Sequence, residues 1–161
     1  MAETLETLAA RLRALEDREA IRDLVARYGP LADSGDAEGV AGLWAPDGTY
    51  AVQGFAEARG HDAIAALIDG PVHQALMAEG CAHLLDPVTI ALDGDSATAS
   101  GHSMVLRNTA QGFAVHRVSA NRWQFARGEQ GWRVTHRENA LLDGNEAARL
   151  LLSLPVARHR S

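Results

Sequence analysis

The sequence predicts an α+β fold, a curved antiparallel sheet wrapped around N-terminal helices into a cone with an internal pocket. Three observations predict it. Helical periodicity fills roughly the first half of the chain and returns only in a short segment after residue 144. From Cys81 onward, four β-like runs follow one another, separated by hairpin-type loops. No strand–helix alternation of the kind that builds parallel sheets is present, and helices followed by strands read as segregated layers.

Taken in order, Leu5, Leu8, Leu12 and Leu15 repeat at 3-4-3 spacing and mark one apolar stripe of a helix. Ile21, Leu24, Val25 and Tyr28 form a second stripe out of phase with the first, so a break is expected near Asp17, which can cap a new start. The second helix is expected to end at "YGPLA", because Pro30 removes a backbone donor. "DAEGVAGLW" reads as a short helix capped by Asp36, with Val40, Leu43 and Trp44 on one side. "TYAVQGF" after the "APDG" turn reads as a strand. "HDAIAALIDGP" and "VHQALMAEG" read as two short helices punctuated by Gly70-Pro71. The β-like runs are "HLLDPVTIAL", "SATASGHSMVLR", "GFAVHRVSANRWQFA" and "GWRVTHRENALL", joined through "DGD", "NTAQ" and "RGEQ". Residues 144–161 suggest a short helix and a frayed basic tail. The whole chain, 1–161, is expected to be one domain with its core at about 15–142 and a helical extension at 1–14.

Composition narrows the chemistry. The net charge of −6 and the lack of a basic cluster argue against a nucleic-acid partner. All 15 Lys+Arg residues are arginine, which excludes a Schiff-base lysine. Cys81 is the single cysteine, so no disulfide framework exists and a reducing, cytoplasmic setting is expected. The acidic, amphipathic N-terminus is not of signal-peptide type, and no apolar run reaches the 18 or so residues of a membrane span. The seven histidines show no compact ligand spacing, so neither a metal nor another cofactor is expected.

Several polar residues look out of place. On the strand 112–126, alternation groups Phe113, Val115, Arg117, Ser119, Asn121, Trp123 and Phe125 on one face, apolar at both ends and polar in the middle. Burying three polar side chains costs roughly 1–3 kcal/mol each unless they find partners. They form an internal network or they await a ligand. His83 and His102 fall on adjacent predicted strands, and histidine is the natural general base near neutral pH. His102 shares its alternation face with Ser96, Thr98 and Ser100, a face polar enough to meet solvent. With Asp36 capping, Asp33 is left without a helix role. It closes a turn on its own backbone, or it enters the cavity and holds a histidine in one tautomer.

The run "DREAIRDLVARYGPLADSGDAEGVAGLWAPDGTY", together with "GWRVTHREN" as a final strand, resembles the SnoaL-like family of the nuclear-transport-factor-2-like superfamily over about residues 15–142. Within it the sequence is most similar to scytalone dehydratases, bile-acid 7α-dehydratases and hexachlorocyclohexane dehydrochlorinases, lyases that use an Asp–His pair. The resemblance implies that Asp33 and His83 are that pair, with Tyr50 polarising the substrate and His102 assisting the leaving group. Tyr28, Ser119 and Asn121 would line the pocket; on this reading Trp44, Trp123, Phe113 and Phe125 are candidates for its apolar walls. It further implies cofactor-independent elimination on a small hydrophobic, oxygenated substrate, in a homo-trimer or homo-dimer. A cyclase or ketosteroid-type isomerase using the same base, or a silent binding domain, are the alternatives. Gly29-Pro30 would interrupt a helix that is usually continuous in this family.

Overall fold

A computed structural model describes residues 4–53 and 56–153. It is an α+β fold, as the sequence predicts, with an open curved sheet. The helix α1, Leu5–Asp33, runs unbroken for 29 residues and starts at Thr4, whose hydroxyl accepts from the Thr7 amide at 3.2 Å. The expected break at Asp17 is absent. The two out-of-phase stripes mark a change of environment along one rod. Leu5, Leu8, Leu12 and Leu15 stand exposed, whereas Ile21, Leu24, Val25, Tyr28 and Ala32 are buried.

Asp17 has a different task from capping. Its carboxylate accepts from Arg127 at 2.6 Å and from the Trp132 indole at 3.0 Å, fastening the helix to the sheet. The Arg127 bond, foremost, pulls its pKa below the ordinary 3.8. A depressed acid stabilises the fold above its unfolded pKa and loses that contribution as pH falls through the lower folded value. Asp17→Ala is therefore expected to cost about 1–2 kcal/mol in denaturant unfolding at neutral pH. The deficit relative to wild type should shrink in acid below the unfolded value of 3.8. An equal deficit at both pH values would show that packing, not charge, is lost.

The helix also survives Pro30. The pre-proline clash involves the preceding residue's Cβ, and Gly29 has none. Beyond α1, Asp36 caps α2, Ala37–Ala41, accepting from the Gly39 amide at 2.8 Å. Strand β1, Trp44–Val52, begins earlier than expected and includes the "APDG" segment. The short strand β2, Ala56–Arg59, carries no strong sequence signal. Helices α3, Gly60–Asp69, and α4, Pro71–Glu79, divide where Gly70-Pro71 predicts.

The first β-like run is two strands, β3 at Cys81–Leu85 and β4 at Thr89–Asp93, because Pro87 between them cannot donate to a ladder. Both pair antiparallel with β5, Ser96–Thr109. Strands β6, Gly112–Gly128, and β7, Gly131–Leu141, continue the meander. Among the described residues one seven-stranded sheet results, in the order β2-β1-β7-β6-β5-β3 with β4 beside β5. The sheet is not wholly antiparallel: β1 lies parallel to β7, with Tyr50 opposite Arg137. Helix α5, Glu146–Ser153, packs Ala148 and Leu151 against Ala120 and Ala140 on the sheet's other side. The expected frayed tail beyond Ser153 lies outside the described residues. Among the described residues no helix is long and apolar enough to cross a membrane.

Two register shifts reset the strand faces. Arg117 pairs with Val105 and Val115 with Leu106, so His116 is an extra residue in β6. Phe113 and Val115 consequently turn outward, 65% and 58% exposed, and Phe113 is not a pocket wall. On β7, His136 pairs with Gln124 and Val134 with Phe125, which leaves Thr135 extra. That bulge brings Arg137 and Asn139 to the same buried side as Trp132 and Val134. The main core gathers Ile21, Leu24, Val25, Trp44, Ile64, Ile68, Trp123 and Phe125 between helices and sheet.

Candidate active site

The last turn of α1 and the strand β3 meet at one point. Gly29 makes the meeting possible: a Cβ there would lie 2.2 Å from the His83 carbonyl oxygen. With helix and strand that close, Asp33 reaches His83 twice. One carboxylate oxygen accepts from the His83 backbone amide at 2.8 Å and the other from ring Nδ1 at 2.6 Å. An acceptor-only carboxylate requires the proton on Nδ1, so Nε2 carries the free lone pair. Burial, above all, lowers the His83 pKa from its ordinary 6.5, against the opposing pull of Asp33. The imidazole is thus biased toward the neutral form of a base.

His83 lines a cavity of about 250 Å³ between α1, α3, α4 and the concave sheet. Leu67, Ile68, Val72, Leu76, Leu85 and Val105 give it apolar walls, and Tyr28 and Tyr50 lie on its floor with Arg137 and Asn139. Burial, chiefly, pushes the Tyr50 pKa far above 10, so its hydroxyl remains a donor. Tyr28 sits edge-on to His83, Tyr50, Trp44 and Trp123, with ring centres 6.2–6.4 Å apart.

The other expected site residues lie elsewhere. Trp44 and Trp123 are fully buried behind the tyrosines and do not line the cavity. Ser119 and Asn121 also sit one layer back, in an internal network. Ser119 accepts from Arg117 at 2.9 Å, and the Asn121 carbonyl accepts from Arg137 at 2.8 and 3.1 Å and from Asn139 at 3.2 Å. Asn121 in turn donates to Ser103 at 2.8 Å. His102 is a correction to the sequence reading. It points away from the cavity, its side chain 53% exposed, and pairs through Nδ1 with Asp86 at 2.8 Å. Asp86 also accepts from the His102 amide at 2.7 Å, a pairing of the same form as Asp33–His83 placed on the wet side of the sheet.

Four residues escaped the sequence reading. Arg137 is 1% exposed, its guanidinium stacked over Tyr28 and Trp123 at 4.1 Å and over Tyr50 at 4.6 Å. Asn139 beside it was hidden by the same Thr135 bulge. His73 lies 5.3 Å from the His83 ring and donates from Nε2 to the Ala32 carbonyl at 2.9 Å. The spacing of His73 carries no signal that could have found it. Cys81 directs its thiol to Asp33 at 3.6 Å, and burial, then the Asp33 charge, push its pKa up to about 11. Alternation along "CAHLL" does place Cys81 on the His83 face.

Asp33, Cys81 and His83 therefore bring three potential metal-ligand atoms within 4.8 Å of one another, a cluster that sequence spacing did not disclose. The Cys81 thiol and the His83 ring both direct their hydrogens to the same Asp33 oxygen.

The SnoaL-like domain family matches residues 13–138. No curated protein matches the chain. Among solved structures, the chain is similar to an NTF2-like protein with a cystatin-like fold from Novosphingobium aromaticivorans, at 62% identity, TM-score 0.93, and coverage of 96% of this chain and 100% of the other. It is also similar to a Mycobacterium tuberculosis protein of unknown function, at 25% identity, TM-score 0.71, and coverage of 83% and 75%. The hexachlorocyclohexane dehydrochlorinase LinA-type3 from Novosphingobium barchaimii shares the fold at 18% identity, TM-score 0.72, and coverage of 82% and 90%.

Proposed function

The chain belongs to the SnoaL-like domain family, and on that premise we propose that it is a cofactor-independent lyase performing dehydratase-type elimination on a small hydrophobic, oxygenated substrate. One observation carries the reading: a half-buried imidazole, tied at Nδ1 to Asp33 at 2.6 Å, lines a largely apolar-walled cavity, and among the described residues its other nitrogen is free. His83 Nε2 removes a C–H proton made acidic by a neighbouring carbonyl. The Tyr50 hydroxyl donates to the oxygen that gains charge. The C–O bond to the leaving hydroxyl then breaks. Because His102 faces away, the imidazolium of His83 itself returns the proton to the departing oxygen, so the base and the acid are one residue and the proton and the hydroxyl leave from the same face of the substrate. Asp33 stabilises the imidazolium between the two steps. Trp44 and Trp123 brace the tyrosines, while Ser119 and Asn121 hold the arginine forks. They position groups and do not touch substrate.

An isomerase or cyclase differs only in where that proton goes next. The outward placement of His102 favours keeping this reading in view, since it removes the separate acid that a two-residue elimination uses. Incubating wild type and His83→Gln with a panel of β-hydroxy ketones, with and without a carboxylate on the same skeleton, in deuterated water tests both. The expected result is loss of 18 mass units from a substrate with wild type only. Deuterium uptake with unchanged carbon skeleton and no loss of water would assign isomerisation. Equal behaviour of the two proteins across the panel would remove His83 from the chemistry.

A further inference from the structure

The cavity has the wrong charge for its protein. The chain carries a net charge of −6, yet Arg117 and Arg137 both line the cavity together with His73, His83 and His116, and no carboxylate is among the lining residues. Arg137 is the more telling of the two. It is 1% exposed, and among the described residues no Asp or Glu pairs with it. Its Nε and Nη2 are both spent on the neutral Asn121 carbonyl, and its Nη1 has no hydrogen-bond partner at all. Three aromatic faces compensate part of the charge, but they offer no acceptor to the vacant N–H groups. A buried cation left without a counter-ion is costly, and an unpaired buried donor adds to that cost.

The two guanidiniums are also linked. Arg117 donates from Nη2 to the Asn139 carbonyl at 2.9 Å, Asn139 donates to the Asn121 carbonyl at 3.2 Å, and Arg137 donates to that same oxygen. This relay of amides fixes both forks in advance of any ligand. Pre-set donors lose little freedom when an anion arrives, which is how a site gains selectivity for charge.

We propose that the substrate is a small carboxylic acid, bound as its carboxylate on the wall where the half-buried Arg117 faces the cavity and the buried charge of Arg137 lies behind, with its apolar body along Leu67, Ile68, Val72 and Leu85. This deepens the lyase reading of the same cavity: it states what the substrate carries besides its acidic C–H. The carboxylate pairs with Arg117 and offsets the buried charge of Arg137. It also excludes neutral isosteres, which leave that charge unanswered.

Titration calorimetry with 2-naphthoate and 2-naphthamide, two bodies of equal shape and different charge, tests this on the full chain. Wild type is expected to bind the acid roughly 10- to 100-fold more tightly than the amide, the span of a charge-assisted hydrogen bond. In Arg137→Met, shown to be folded by circular dichroism, the acid and the amide should bind alike. Arg117→Gln should reduce the preference, and His83→Gln should keep it in full. An amide bound as tightly as the acid by wild type overturns the proposal, as does failure of the acid to bind at millimolar concentration. A preference that survives Arg137→Met or vanishes in His83→Gln also overturns it, since the selectivity would then reside elsewhere. These outcomes are separate from the fate of the lyase reading. Acid preference without any proton exchange would sink only the lyase, and exchange without acid preference would sink only the carboxylate.

Discussion

Asp33→Asn should leave a folded protein whose kcat on an identified substrate is lower by roughly 10²- to 10⁴-fold, the range assigned to a positioned base. Asparagine can still accept from the His83 amide, the bond now 2.8 Å long, so the end of α1 remains attached. What changes is the other contact. An amide nitrogen opposite Nδ1 donates where the carboxylate accepted, which moves the imidazole proton to Nε2 and leaves the cavity facing an N–H with no lone pair. KM should change little if the substrate is held by the opposite wall. In wild type, kcat/KM should fall as pH drops, because protonation of His83 removes the base. The midpoint should lie below the ordinary imidazole value of 6.5, since burial lowers the pKa more than Asp33 raises it. The same sign governs stability. The unfolded chain takes up a proton at His83 before the folded chain does, so this residue costs stability as pH falls below 6.5. A pH–rate profile and a thermal melt at two pH values check both statements. An unchanged rate in Asp33→Asn would end the proposal that this pair moves protons.

The second large effect is expected at a residue with no side chain. Gly29→Ala should destabilise the protein by about 1–3 kcal/mol, the usual cost of overpacking, despite a gain of about 1 kcal/mol in helix propensity. The new methyl would sit 2.2 Å from the His83 carbonyl oxygen and 3.3 Å from its carbon. Both are backbone atoms of a strand that is hydrogen-bonded to β5, and they cannot swing aside as a side chain would. The strand must move away from α1 and carry the imidazole with it. A displacement of about 1 Å costs on the order of 10²-fold in rate when reacting groups are misplaced. Denaturant unfolding and kcat should therefore fall together. A variant with normal stability and normal rate would show that β3 is not seated on this glycine.

How much of this was legible in the sequence differs by element. The α+β class, the short helices, Asp36 as a cap and the hairpin positions follow from local rules, and local rules held there. The unbroken α1 did not follow, because a shift in apolar phase reports a change of surroundings and cannot distinguish that from a bend. Asp33 with His83 was legible through family resemblance; the distance between them depends on Gly29, whose role is visible only once a strand lies against it. His102 illustrates the limit from the other side. Its pairing with Asp86 repeats the Asp33–His83 pattern, ring nitrogen and amide included, and only the polar alternation face it shares with Ser96, Thr98 and Ser100 separates the wet pair from the dry one. Phe113 was misjudged and Arg137 passed over for a shared reason. Alternation along β6 and β7 predicts faces only while each residue meets one partner, and the extra residues His116 and Thr135 each reverse the count. A single inserted residue in each strand turned one expected wall outward and brought the cavity's buried cation inward.

The double tie from Asp33 has an effect on what descendants of this fold can lose. Both oxygens of that carboxylate land on one residue of the neighbouring strand, so the group that steers the imidazole is also the clasp at the tip of the longest helix. A lineage that abandoned catalysis would still be under pressure to retain an acceptor there for mechanical reasons. The persistence of an acid or amide at this position is thus a poor witness to surviving activity, and the state of the imidazole is the better one.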